Sequence, residues 1–534
     1  MIFTSAWPDV ALPELTLTEF VLRHAERLRD RPAIVDGPTG RTLTFGNLAD
    51  QVKRVATALH RMGFAKGDVF AVYSPNVIEY PVILLAVSSL GGVTTTVNPL
   101  YTAGELARQL QDSGARFLIT VAPFLDKARE AAAQARVEEI FVFDEAEGTR
   151  SFAELLAAPP SPPAAAIDVR NDVVAMPYSS GTTGLPKGVM LTHFNIVSNL
   201  HQCLGVTDWE GPREGDVVLV FLPLFHIYGL VVILALNLVN GATSVIMPRF
   251  DFVEFLTLAQ TYRATVLPLV PPVVLGMARS PAVGQFDLSS VRLVFCGAAP
   301  LSDETARELA AKLGCPVVQG YGMTEASPVT HLSPTRNAPW KPGASGKIVC
   351  NTEVRLVSVD TGEELGVGQE GELLMRGPQI MKGYLGQPAA TADAIDPEGW
   401  YHTGDVGYVD ADGFFFIIDR TKELIKYKGL QVAPAELEAV LLTHPAVLDC
   451  AVFRKADEEA GEVPKACVVL KPDDRARATS AEDIMAFVAG RVAPHKRIRH
   501  LEFVDQIPKS ASGKILRRVL IDREKAVASQ LSSP

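Results

Sequence analysis

Along the larger part of this chain, short runs of apolar and β-branched residues take turns with longer stretches whose apolar positions recur every three to four residues. Thr18 stands where it would cap a helix running through Phe20, Leu22 and Leu28. Arg41 to Phe45 reads as a strand, Leu48 to Met62 as a helix and Val69 to Tyr73 again as a strand. The unit recurs as helix Glu105 to Gln111 before strand Phe117 to Val121, and as helix Val253 to Tyr262 before strand Thr265 to Leu269. Such alternation predicts an α/β fold with mostly parallel sheets covered by helices. A Pro/Ala-rich segment, Ala157 to Ala166, reads as an exposed connector.

After about Trp340 the pattern changes to short strands and turns, among them Glu353 to Val357 and Glu370 to Met375, with a hairpin turn at Asp412-Gly413. An antiparallel, barrel-like unit is expected there. Beyond Lys422 come a helix Ala435 to Leu442 after Pro434, strands Cys450 to Phe453 and Ala466 to Leu470, and a helix Ala481 to Val492 capped by Ser480 with Asp483. This is a separate α+β domain of roughly 110 residues.

The 534 residues exceed what one core serves, and 48% of them are hydrophobic. Two almost uncharged stretches, Val217 to Val239 and Tyr80 to Leu100, have the length of membrane spans. The first is broken by Pro223, His226 and Gly229 and the second is rich in Ser, Thr and Gly, so both are expected as buried core elements and no span is expected. A net charge of −11 argues against general nucleic-acid binding. From Glu423 onward there are 18 basic and 16 acidic residues, against 32 and 45 upstream, so the small domain is mildly basic. The six cysteines stand no closer than 17 residues apart, which excludes CxxC pairs and fits reduced thiols in a cytosol. The segment MIFTSAWPDV lacks the basic start and apolar run of a signal peptide, and QLSSP is neither a prenylation nor a peroxisomal address; a cytoplasmic location is the expectation.

The densest chemistry lies in Tyr178 to Val189, YSSGTTGLPKGV. Hydroxyls, glycine-freed backbone N–H groups and one lysine are what a triphosphate requires of a loop. The GxxxxGK[ST] cradle does not fit, because Pro186 stands where its second glycine would be and Gly188 follows the lysine. A flexible Ser/Gly linker rarely ends in Pro-Lys-Gly before an apolar Val189-Met190-Leu191 run.

Six further segments follow in order: LPLFHIYG (Leu222 to Gly229), GAAPL (Gly297 to Leu301), QGYGMTEASPV (Gln319 to Val329), GWYHTGDVG (Gly399 to Gly407), DRTKELIKYKGLQ (Asp419 to Gln431) and PKSASGKILRR (Pro508 to Arg518). With the cradle they resemble the adenylate-forming superfamily of acyl-CoA synthetases, adenylation domains and luciferases, most closely its 4-coumarate:CoA ligase-like branch. The resemblance spans nearly the whole chain. It implies an N-terminal domain, residues 1–421, of two doubly wound α/β subdomains plus a distorted β-barrel, and a small mobile C-terminal α+β domain, residues 422–534, hinged at Lys422.

The implied reaction joins a small carboxylic acid to AMP and then to the thiol of CoA, with ATP, Mg²⁺ and CoA as cofactors. Hydroxycinnamate-like acids and medium- or long-chain fatty acids both fit, as does loading of a carrier protein; the oligomeric state is left open. By resemblance, Ser179, Ser180, Gly181, Thr182, Thr183 and Lys187 hold the β- and γ-phosphates, Glu325 the Mg²⁺ ion and Thr324 the α-phosphate. Tyr321 stacks on adenine, with Gly320, Ala298 and Gln319 around it, and Asp405 and Arg420 take the ribose. Lys514 bridges the entering carboxylate and the α-phosphate. Rotation about Lys422 withdraws it and brings in Lys426 and Gln431 at the acyl-AMP and Lys428 and Gly429 at pantetheine, with Arg249 at the CoA nucleotide. His226 resembles a gate to the thiol tunnel, and Tyr228, Ala298, Pro328 and Val329 resemble acyl-pocket walls. Ser327 and His331-Leu332-Ser333 depart from the plant coumarate ligases.

Overall fold

Strand Val69–Tyr73 is buried apart from its first residue, and the next strand, Val93–Val97, is buried at all five positions despite three threonines. Two-faced burial is what a parallel sheet between helix layers imposes. In the computed structural model, which describes residues 1–179, 186–428, 430–457, 459–472, 474–510 and 513–531, these strands pair in parallel at the centre of a nine-stranded sheet. Ala115–Thr120, Glu139–Val142 and Arg150–Ser151 continue it on one side. Val173–Ala175, Lys187–Thr192 and Tyr178–Ser179 continue it on the other, the last two antiparallel.

A second nine-stranded sheet runs in the order Lys347–Ile348, Val329–Leu332, Val317–Gly322, Leu293–Cys296, Val266–Leu269, Val217–Val220, Thr243–Ile246, Pro32–Asp36, Thr42–Thr44, parallel through its middle. Helix Tyr80–Ser89, buried on nearly every side, lies in the apolar cluster that joins the two sheets. The doubly wound α/β expectation holds. Val217 to Val239 becomes a buried strand followed by a π-helical segment, Tyr228–Ala235, and helix Leu236–Asn240. Among the described residues no helix is long and apolar enough to cross a membrane.

The third sheet is antiparallel: Phe3–Thr4, Glu353–Val357, Gly371–Arg376, Tyr401–Val409 and Phe415–Arg420. Its two edge strands do not pair with each other among the described residues, so the barrel-like unit is an open sheet packed on Ile348, Leu356, Leu373 and Phe415. The fourth sheet, Leu430–Val432, Ile425–Tyr427, Gly461–Leu470, Val447–Asp457 and His500–Phe503, has its own core of Leu437, Leu441, Val452, Val468, Ile484 and Val488. A large N-terminal and a small C-terminal domain result.

Several local expectations shift. The first helix is Leu17–Val21, not a run to Leu28, and its cap is Thr16. Thr16 has Glu19 three residues on and closes a capping box, whereas the Thr18 hydroxyl donates to the Leu85 carbonyl. The strand expected at Arg41 to Phe45 is Thr42–Thr44, because Thr44 caps helix Phe45–Arg61. Cys450 to Phe453 and Ala466 to Leu470 belong to one long hairpin, Val447–Asp457 with Gly461–Leu470. Ser480 with Asp483 caps helix Ala481–Ala489 as expected, though the helix ends three residues earlier.

Candidate active site

The site is assembled where the parallel strands of the second sheet end, the place where open α/β sheets leave a crevice. Leu293–Cys296 runs into Gly297 and Ala298; a Cβ on Gly297 would meet the Tyr228 ring at 3.2 Å, and Ala298 takes φ +73°. Val317–Gly322 carries Gln319, Gly320 and Tyr321. Gln319 exchanges two hydrogen bonds with the Leu301 backbone, at 2.8 and 3.2 Å. At Gly320 a Cβ would fall 2.7 Å from the Phe295 ring, so any side chain there would clash with that ring.

Tyr321 donates to Asp405 Oδ2 at 2.5 Å, and Arg420 pairs with Asp405 Oδ1 at 3.2 Å. Asp405 and Arg420 face each other in register on neighbouring strands of the third sheet, which fixes the pair. Burial first, then the Asp405 charge, pushes the Tyr321 phenol above its ordinary value. Next to it the short turn Thr324–Ala326 presents Glu325, 8% exposed, whose Oε1 accepts from Ser179 Oγ (2.9 Å) and Tyr384 Oη (3.0 Å).

Tyr178–Ser179 and Lys187–Thr192 pair antiparallel with Ser179 opposite Lys187, so they form the two stems of the expected cradle. Ser180, Gly181, Thr182 and Thr183, and likewise Gly429, lie outside the described residues. Lys187 Nζ sits 4.7 Å from the Tyr384 ring centre. Tyr178 Oη donates to Asp112 at 2.6 Å, tying one stem to helix Ala103–Ser113.

Lys514 reaches this place from the small domain. Its loop folds back on itself, Ser510 N–H donating to the Lys514 carbonyl at 2.8 Å, and Gly513, at φ +81°, lies against Val270 and Pro272 of the large domain. Arg279 clasps the Leu442 carbonyl at 2.9 Å and Asp419 accepts from Ala435 N–H at 3.0 Å, two further ties between the domains. Burial and then the Arg420 guanidinium push the Lys514 ammonium below its ordinary value, against the pull of Asp405, Glu325 and Glu423. Arg420 is paired with Asp405, and Arg517 with Glu423 and Glu438, whereas Lys514 has no ion-pair partner among the described residues. His226 is held neutral, its imidazole pushed down to about 3 by burial and by Lys514, and its Nδ1 accepts from Tyr228 N–H at 3.3 Å.

These groups line one cleft of about 3120 Å³ between the domains. Ser179, Lys187, His226, Tyr228, Ala298, Gln319, Gly320, Tyr321, Thr324, Glu325, Pro328, Val329, Asp405, Arg420, Lys426 and Lys514 all face it. Arg249, Lys428 and Gln431 do not: Arg249 is exposed, Lys428 pairs with Glu459, and Gln431 lies opposite Lys426 on the far hairpin strand. Tyr384 touches both Glu325 and Lys187 but stands outside the motifs, because a lone Gly-Tyr dipeptide carries no signal in the sequence. Asn195, Asn199 and Gln202 also stand outside them, although their helical spacing is visible.

Residues 21–385 match the AMP-binding enzyme model and residues 436–514 the AMP-binding enzyme C-terminal domain. The chain belongs to the AMP-binding enzyme family. Within it this enzyme is an AMP-forming acid:CoA ligase, and use of ATP and CoA goes with that membership. It is 47% identical over 532 residues to 4-coumarate--CoA ligase 5 of Oryza sativa subsp. japonica, covering 97% of this chain and 96% of the relative. To the 4-coumarate--CoA ligase of Pinus taeda it is 43% identical, covering 98% and 97%. Among solved structures, an anthranilate CoA ligase in complex with anthranoyl-AMP superposes with TM-score 0.89 at 27% identity, covering 97% of this enzyme and 99% of that chain. ATP-bound MatB from Rhodopseudomonas palustris gives 0.85 at 29% identity, covering 96% and 100%.

Proposed function

We propose that this enzyme activates a hydroxycinnamate-like acid with ATP and passes the acyl group to the thiol of CoA. The observation that carries the reading is the meeting, in one cleft, of Lys514 from the small domain, without an ion-pair partner among the described residues, with Lys187, Glu325 and the Asp405–Arg420 pair of the large one. A carboxylate is a poor electrophile. Its oxygen displaces pyrophosphate from the α-phosphorus of ATP, and the resulting mixed anhydride gives its acyl carbon to the thiol. Alignment and charge neutralisation are what such transfers ask of a protein.

In this reading Lys514 offsets the charge that builds between the entering carboxylate and the α-phosphate. Lys187 with the cradle Ser179 to Thr183 takes the β- and γ-phosphates, and Thr324 the α-phosphate. Tyr321, Gly320, Ala298 and Gln319 frame the adenine, and Asp405 with Arg420 the ribose hydroxyls. Glu325 is the ligand for Mg²⁺. The donor set fits: Oε1 is engaged by Ser179 and Tyr384, leaving the other oxygen for the ion, and Mg²⁺ prefers one or two carboxylates with substrate phosphates and water. When bound, it supplies charge neutralisation on the phosphates.

Tyr228 and Phe295, 6.0 Å apart edge to face, with Pro328 and Val329 build an apolar wall that suits a planar aromatic tail. The relatives named as 4-coumarate ligases, at 43–47% identity, support the same acid class. The domain border falls at Lys422. Rotation there exchanges Lys514 for Lys426 and Gln431, with Lys428, Gly429 and Arg249 serving CoA.

Pyrophosphate release over a panel of acids, with and without CoA, tests the assignment. The expected result is release that depends on 4-coumarate and yields acyl-CoA. No acid-dependent release sinks it, pyrophosphate without acyl-CoA points to carrier-protein loading, and a preference for fatty acids moves the substrate.

A pH profile follows from Lys514. Adenylation needs the ammonium, and its proton is held less tightly than an ordinary lysine's. For adenylation, kcat/KM is therefore expected to fall at high pH, below where an ordinary lysine titrates, and Lys514→Arg is expected to move that limb up. Folding stability runs the other way. The native chain binds fewer protons at this group than the unfolded one between the two values, so stability rises with pH through that window. An alkaline limb shared by wild type and Lys514→Arg would remove Lys514 as its cause.

A further inference from the structure

We propose that Asn199 is a positioning residue that governs which acid the cleft accepts, acting through Val329; the inference rests on the reading of the cleft as an acid site. Asn195, Asn199 and Gln202 stand four and three residues apart on helix His193–Gly205, hence on one face. All three amides are buried, at 8%, 1% and 0% exposure. Buried amides are costly unless their hydrogen bonds are made.

Their main partners differ, although Asn199 Nδ2 also donates to Gln202 Oε1 at 3.2 Å. Asn195 Nδ2 donates to the Pro378 and Ile380 carbonyls at 2.8 and 2.9 Å, and Gln202 Nε2 to the Cys350 carbonyl at 2.8 Å and Gln379 Oε1 at 2.9 Å. Asn199 alone of the three reaches the cleft wall. Its Nδ2 donates to the Val329 carbonyl at 2.7 Å and its Oδ1 accepts from Val329 N–H at 3.0 Å. Taking both backbone groups of one residue is what a neighbouring strand would do, and it fixes the peptide planes on either side of Val329.

The clamped segment has little other freedom. Val329 opens strand Val329–Leu332 directly after Pro328, whose carbonyl accepts from Met323 N–H at 3.0 Å. Opposite it, a Cβ on Gly322 would fall 2.0 Å from that carbonyl oxygen, so the loop carrying Glu325 is pressed shut between Gly322 and Pro328. One face of this loop therefore serves the nucleotide side through Glu325. The other, Pro328–Val329, serves the acid side, and Asn199 holds that one.

Asn199→Leu and Asn199→Ser, beside Asn195→Leu, test the inference, with 4-coumarate and octanoate as the acids. Both Asn199 variants are expected to raise KM for 4-coumarate about tenfold and to lower the kcat/KM ratio of 4-coumarate over octanoate by a similar factor, with KM for ATP within about twofold. Asn195→Leu removes a comparable buried amide whose partners lie away from the cleft wall and is expected to lower Tm similarly while keeping the ratio. If Asn199→Leu does not fold, the serine variant decides. An unchanged ratio in Asn199→Ser, or an equal change in Asn195→Leu, overturns the proposal. Wild-type enzyme that releases no pyrophosphate with either acid overturns the acid-site reading itself, a failure distinct from that of the variants.

Discussion

Lys514→Ala is expected to slow pyrophosphate release about a hundred- to a thousandfold, ~3–4 kcal/mol of barrier, while thioester formation from supplied acyl-AMP stays within about threefold. The ammonium faces the cleft with no ion-pair partner among the described residues. Removing it therefore orphans no carboxylate, unlike removal of Arg517, which would strand Glu423 and Glu438. Glu438, already pushed up to about 7 by burial against the pull of Arg517, would be the more costly of the two to leave unpaired. Thermal stability of Lys514→Ala should hold or rise, because a cation that burial disfavours has gone. Rapid-quench measurement of each half-reaction separates the outcomes. Equal loss in both halves would mean that Lys514 serves the site throughout, and that the small domain does not exchange one set of residues for another.

What was legible in the sequence followed from how local its cause was. Val69–Tyr73 and Glu353–Val357 were located to the residue because their patterns state their burial outright, and Ser480 with Asp483 gave a cap that needs only four residues to recognise. The first helix was misplaced because two threonines compete for the cap and only the position of Glu19 separates them. The long hairpin of the small domain was seen as two fragments, since polar residues at its far end, such as Arg454 and Lys455, break the apolar run while staying in the ladder. In the site, the motif residues were legible as a set, but their meeting was not. Asp405 and Arg420 are neighbours through strand register, Lys514 arrives by domain docking, and Tyr384 enters through a two-residue strand on Val189 and Met190. Contacts of that kind depend on long-range pairing, which spacing along the chain does not encode.

Lys422→Pro is expected to do the reverse of the lysine deletion: acid-dependent pyrophosphate release within about threefold of wild type, and acyl-CoA formation lowered about a hundredfold, from the ~3 kcal/mol a misplaced proline imposes. The backbone around Lys422 is held by Thr421 N–H on the Gly404 carbonyl and by Glu423 and Leu424 N–H on the Arg420 carbonyl. The Lys422 carbonyl accepts from Arg454 at 2.7 Å, while its own N–H donates to no described residue, so proline removes no hydrogen bond from this state. Proline does lock φ, and the proposed rotation about this residue would change φ or ψ. Proline also crowds Thr421 in the turn closed on the Arg420 carbonyl, a cost borne by this state; the locked φ further opposes the proposed second arrangement, in which Lys426 and Gln431 would replace Lys514. Arg279 on Leu442 and Asp419 on Ala435 hold the first arrangement from the other side of the interface, so the variant should stay in it. Accumulation of enzyme-bound acyl-AMP, with thioester formation restored neither by more CoA nor by longer incubation, is the signature to look for. Normal acyl-CoA turnover by Lys422→Pro would move the pivot elsewhere, and slow pyrophosphate release would show that the proline disturbs the docked state that carries Lys514.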